Sequence, residues 1–120
     1  MTGNLDDERR AVLAAERAEV LERMQALSRS VDDIVAASES SNADDEHDPE
    51  GATIAFERAQ AGALLAHACA HLTEVTEAVR RLDAGTYGRC ERCGGDIAAE
   101  RLEARPTART CFDCAGITRR

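Results

Sequence analysis

Residues 61–82 read AGALLAHACAHLTEVTEAVRRL, and their spacing decides the fold. Ala61, Leu65, Ala68, Leu72, Val75, Val79 and Leu82 recur at alternating intervals of four and three, which is the seam of a coiled-coil helix. Ile54 and Arg58 extend the same register backwards. A second stripe lies upstream, where Leu13, Val20, Leu27 and Ile34 alternate with Met24 and Val31. Arg10 and Arg17 take the next seam positions, so their stems are expected to cover the seam while their guanidinium groups reach sideways to acids on the other helix. Two helices of similar length, each with one narrow apolar stripe, are expected to pack antiparallel. The pattern predicts helices over about residues 5–37 and 50–84, each roughly 45 to 50 Å long at 1.5 Å per residue.

Between the two stripes, residues 38–52 are poor in apolar side chains and form the predicted acidic tip of the hairpin. Asp48 reads as a helix N-cap and Pro49 as the first helical position. After Leu82, the stretch DAGTYG (residues 83–88) stops the helix with glycines. The fold class expected is mainly α: a long antiparallel two-helix coiled-coil hairpin over 1–84, followed by a small module over 85–120.

That module holds the strongest chemical signal. Cys90 and Cys93 form one CxxC pair, Cys111 and Cys114 another, and 17 residues separate them. Two such knuckles sharing one tetrahedral ion are the pattern of a structural zinc site. Gly94 and Gly95 follow the first pair, where backbone N–H groups are expected to turn towards the sulfurs. Four thiolates leave no open coordination position, which argues against catalytic zinc. His67 and His71 have the i, i+4 spacing that can grip a metal, but they fall off the seam and read as a solvated face. Cys69, beside Ala68, reads as a small, partly buried apolar residue.

Composition narrows the function further. All 15 basic residues are arginine, against 23 acids, and the formal net charge is -8. A free-standing nucleic-acid binder is disfavoured by that balance. Glu39, Asp44, Asp45, Glu46, Asp48 and Glu50 make an acidic run uninterrupted by arginine, whereas residues 85–120 hold seven arginines against five acids. No apolar run approaches the ~20 residues that cross a bilayer, and the polar, acidic start is unlike a signal peptide, so the chain reads as cytoplasmic. No nucleophile with a paired base and no phosphate loop is present, so an enzyme is not expected.

An acidic-tipped helical hairpin placed before GTYGRCERCG (residues 85–94) and RLEARPTARTCFDC (residues 101–114) resembles the DksA/TraR family of bacterial transcription factors. The resemblance implies a protein that binds RNA polymerase directly, with no DNA site of its own, and inserts its hairpin into the secondary channel. It implies a tip with two aspartates three apart and an alanine two further on. Matched without gaps from the zinc site, Glu50 and Ala52 stand on the second acid and the alanine, and His47 on the first acid. A shifted match keeps the acid spacing with Asp45 and Asp48, and then Glu50 replaces the alanine. Asp45, Asp48, Glu50 and Ala52 are therefore the candidate acting residues at the tip.

Some members of the family contribute basic residues to a guanosine tetraphosphate site at the polymerase interface. Here only Arg105 matches that set, because Glu74 and Ala115 stand where lysines are expected. A weak or absent nucleotide response follows. Six residues follow Cys114, so the C-terminal helix of many members is expected to be truncated. With the two seams facing each other in one chain, a monomer is expected. The alternative reading is a zinc-containing coiled-coil adaptor with no polymerase role.

Overall fold

The computed structural model describes residues 2–40 and 49–117. Among the described residues four helices follow one another: α1 Thr2–Ser40, α2 Pro49–Ala84, α3 Ala99–Ala104 and α4 Phe112–Ile117. Among the described residues no strand is longer than the single antiparallel bridge between Arg89 and Asp96. The fold is thus mainly α, an antiparallel two-helix hairpin with a small four-cysteine module. Pro49 is the first residue of α2, as expected of a residue whose ring presets the helical φ and whose missing N–H has no helical partner there. Its proposed cap, Asp48, lies outside the described residues, as does Asp45. Both long helices run up to three residues beyond the ends expected from the apolar stripes. An apolar stripe marks where a helix packs, and a helix extends past its last packed residue at little cost.

Residues group into two compact units: 1–18 with 72–120, and 19–71. The hairpin's chain termini thus cluster with the cysteine module. In the first unit Leu13, Val75, Ala78 and Leu82 form one buried cluster, flanked by Val79 and Tyr87. Leu13 and Val75 are fully buried. Burying a leucine of that size contributes about 1.5–3 kcal/mol. Arg10 donates to Asp83 at 2.7 Å, the sideways reach expected of a seam arginine, and this pairing of an early α1 residue with a late α2 residue marks the antiparallel course. Both partners are largely exposed, so the ion pair itself adds little stability.

In the second unit Val20, Ala61 and Ala68 are buried, while Met24, Leu27, Val31, Ile34, Ile54 and Leu65 are partly so. These are the expected seam positions of both stripes. Arg58 of this unit and Arg17 of the first, also in seam register, are exposed. No helix is long and apolar enough to cross a membrane among the described residues.

At its C-terminal end α2 closes on Gly85, whose φ of +80° is open to glycine without the Cβ penalty other residues meet there. The Thr86 N–H reaches the Arg81 carbonyl at 2.9 Å and the Gly85 N–H reaches Leu82 at 3.2 Å. This paired closure is a Schellman motif, and it satisfies two carbonyls that the helix end leaves without partners. It also turns the chain so that Tyr87 meets both the helix cluster and the cysteine module.

Candidate metal centre

The first cysteine pair sits on a short ribbon. Cys90 N–H donates to the Gly95 carbonyl at 2.7 Å and Ile97 N–H to that of Gly88, also at 2.7 Å, on either side of the Arg89–Asp96 bridge. Gly94, with φ of +76°, makes the turn inside this ribbon. Cys111 immediately precedes α4 and Cys114 lies within it. Glu91 N–H, bonded to the Arg109 carbonyl at 2.9 Å, ties the two knuckles together.

These local structures bring the sulfurs of Cys90, Cys93, Cys111 and Cys114 within 4.8 Å of one another. Cys93 and Cys111 are 3.9 Å apart. Four sulfurs at 2.3 Å around a tetrahedral zinc stand about 3.8 Å from each other, so the cage has the size of a zinc site. Gly95 N–H points at Cys93 Sγ (3.4 Å) and Cys93 N–H at Cys90 Sγ (3.5 Å). The Gly95 bond was expected from the sequence. Gly94 departs from expectation, because its N–H bonds the Cys90 carbonyl at 2.9 Å and closes the turn instead of facing a sulfur.

The thiols differ in how readily they ionise. The N–H of Cys93 holds Cys90 down to about 6 against the opposing effect of burial. Hydrogen bonding to Cys111, then burial, pushes Cys114 up to about 12. Four negative sulfurs at this separation repel one another, and a divalent cation removes the repulsion. The donor set is wholly thiolate, which selects zinc in a tetrahedral cage and leaves no coordination position for water or substrate. The centre holds one structural Zn²⁺.

Around it, Cys90, Ile97, Leu102, Ala108 and Cys114 make the module's core, with Tyr87 and Cys111 packed against it. The Tyr87 hydroxyl donates to the Pro106 carbonyl at 2.7 Å, and the Arg9 guanidinium lies 5.1 Å over its ring. Burial pushes the Tyr87 phenol up, against the opposing charges of Arg9 and Arg81. Arg81 also donates to the Thr107 carbonyl, and Arg109 pairs with Glu77 at 3.2 Å. This role of Tyr87 left no mark in the sequence beyond its being the one tyrosine.

Arg105 is exposed at the C-terminal end of α3 and lines a cleft of about 680 Å³ with Glu74, Arg101, Arg109, Phe112 and Ala115. The structure therefore brings Glu74, Arg105 and Ala115, matched above only by sequence position, to one place. Arg101 donates to the Thr110 carbonyl at 2.8 Å and lies 5.9 Å over the ring of Phe112. Glu50 and Ala52 stand in the first turn of α2, and Ala52 is exposed.

Cys69 corrects the sequence reading. It is exposed rather than partly buried, because the seam that buries Ala68 turns it towards solvent. On the zinc-loaded protein a thiol reagent should therefore label one cysteine quickly, and mass spectrometry should find the label on Cys69. Labelling of Cys93 or Cys114 at a comparable rate would mean that the thiolates are not held by metal.

A helical hairpin whose C-terminal module gathers four sulfurs in this way defines a protein with a four-cysteine zinc finger. Residues 85–119 match the family described as prokaryotic dksA/traR C4-type zinc finger. Over 43 residues the chain is 42% identical to the RNA polymerase-binding transcription factor DksA of Haemophilus influenzae, covering 36% of this chain and 30% of that protein. It is 40% identical over 43 residues to the protein of the same name from Escherichia coli K12, covering 36% and 28%. An uncharacterized protein of Bacillus subtilis, YteA, is 42% identical over 66 residues, covering 55% and 28%. These matches span less than a third of the relatives' own lengths. The solved structure of transcription factor DksA2 from Pseudomonas aeruginosa superposes with a TM-score of 0.79 at 25% identity, covering 95% of this chain and 82% of that one. Residues 85–119 thus carry a dksA/traR C4-type finger, and the fold of the chain is similar to that of DksA2.

Proposed function

We propose that this chain is a transcriptional regulator that binds RNA polymerase through the secondary channel, without a DNA site of its own. The observation that carries the reading is the likeness to DksA2 over 95% of the chain, combined with the dksA/traR finger at residues 85–119. A pair of packed helices is about 20 Å across, which suits a channel too narrow for a globular domain. The zinc module is tied to its own end of α2 by Arg81 and Glu77, which reach Thr107 and Arg109.

At the tip, the acids of residues 44–50 act by charge on polymerase elements near the catalytic magnesium, where excluded water strengthens every electrostatic interaction. Asp48, Glu50 and Ala52 are the residues proposed to act, with Asp45 as the alternative acid. Arg105 contacts polymerase. Beside it, Glu74 repels a polyphosphate, so guanosine tetraphosphate has little or no effect. The protein acts in the cytoplasm, as a monomer and without catalysis.

The test combines binding with transcription. Purified core polymerase should retain the zinc-loaded chain in a pull-down. The double variant Asp48→Ala/Glu50→Ala should be retained equally but lose the effect on initiation. Failure of the parent chain to bind would remove the polymerase reading, and a stable dimer formed through the two seams would exclude insertion of the hairpin.

A further inference from the structure

We propose a second metal site, separate from the cysteine cage: His67 and His71 on α2 form a two-imidazole grip for a borderline divalent transition ion of the Zn²⁺, Ni²⁺ and Cu²⁺ class. Two of the three histidines in the chain stand four residues apart within an unbroken helix. That spacing places their Cβ atoms about 5–6 Å apart on one face, so both rings can close on a single ion. The same i, i+4 pair supplies two zinc ligands in helical HExxH sites.

The surroundings suit an incoming cation. His67 is exposed and His71 half-exposed, so an ion can approach from solvent. Alanines at 66, 68 and 70 flank the pair in sequence. The nearest arginines along α2, Arg58 and Arg80, are each nine positions away. In the unit 19–71 as a whole, eleven acids stand against three arginines, so the chain's entire formal excess of -8 falls there. α1 adds Arg23 and Arg29 to this unit, outnumbered by Glu19, Glu22, Asp32, Asp33 and Glu39.

Cys69 takes no part, since two positions along a helix turn it about 160° or more away from both histidines. Water fills the remaining coordination positions. A bound ion bridges one turn of α2 and stiffens it, and the site is independent of polymerase binding.

Ni²⁺ is the probe of choice, because it favours imidazole and does not oxidise the thiols. The zinc-loaded full chain is dialysed against Ni²⁺, with both metals measured. One Ni²⁺ per chain beyond the zinc is expected, with affinity at least about tenfold weaker in His67→Ala and in His71→Ala. His47→Ala should bind as the parent does. Alanine is the best helix former, so neither α2 variant threatens the fold. Hydrogen exchange should slow over residues 63–71 on adding Ni²⁺ to the parent, and not in the two α2 variants. Absence of extra Ni²⁺, Ni²⁺ gained only by displacing zinc, or binding that both α2 variants retain would overturn the proposal.

Discussion

Removing zinc with a chelator at neutral pH should unfold residues 85–117 while most of the far-ultraviolet helical signal remains. The module's core contains five buried residues, and two of them are metal ligands. Without the ion only Ile97, Leu102 and Ala108 are left to hold a segment of this size together, and chains below about 40 residues seldom fold without a metal, disulfides or a partner. Structural zinc in comparable small modules contributes an apparent ~10–16 kcal/mol, all of it expressed as folding energy. Because binding displaces thiol protons, zinc affinity should fall as pH falls; the Cys114 proton, held to about 12 in the absence of the ion's charge, is the one that the metal does most to displace.

The loss should not stop at residue 85. Tyr87 packs against both buried clusters of its unit, and Arg81 and Glu77 on α2 reach Thr107 and Arg109 in the module. Hydrogen exchange should therefore quicken over residues 5–18 and 72–84 as well, while residues 19–40 and 52–71 keep their protection. A module that stays protected from exchange after its zinc is gone would refute the structural role given to the ion.

Leu13→Ala should cost about 2–5 kcal/mol, the range for a fully buried leucine. Leu13 is 0% exposed and packs with Val75, Ala78 and Leu82. Ala78 is small and cannot move in to fill the void, which favours the upper part of that range. Set against a total stability of about 5–15 kcal/mol for a typical domain, one such change threatens the fold. Leu5→Ala is the internal comparison: Leu5 is 47% exposed, and the same truncation there should cost well under about 1 kcal/mol. Urea unfolding of the zinc-loaded variants measures both. Equal costs at the two positions would mean that the helices do not pair at the level of Leu13.

Much of this arrangement could be read from residues alone, and the exceptions have physical causes. The stripes at Leu13, Val20 and Ala61 to Leu82 carry enough contrast between large apolar and charged side chains to mark one face each. Gly85 and the two cysteine pairs are local signals that need no tertiary context. Contrast fails where alanine surrounds the seam. Alanines stand at 59, 61, 63, 66, 68 and 70, but only Ala61 and Ala68 are buried. A small residue tolerates either side, so nothing in that run fixed which flank of the seam Cys69 would face. Ala78 is buried outside the expected seam for the same reason. The placement of Glu74, Arg105 and Ala115 around one cleft depends on contacts between segments some thirty to forty positions apart in sequence, which no local pattern encodes.

The joint around Tyr87 has a practical corollary. The chain has no tryptophan and one tyrosine, and that tyrosine sits where helices and finger meet. Its ultraviolet emission is therefore a label-free gauge of that single junction, reporting on the seating of the finger in the native protein without any introduced dye.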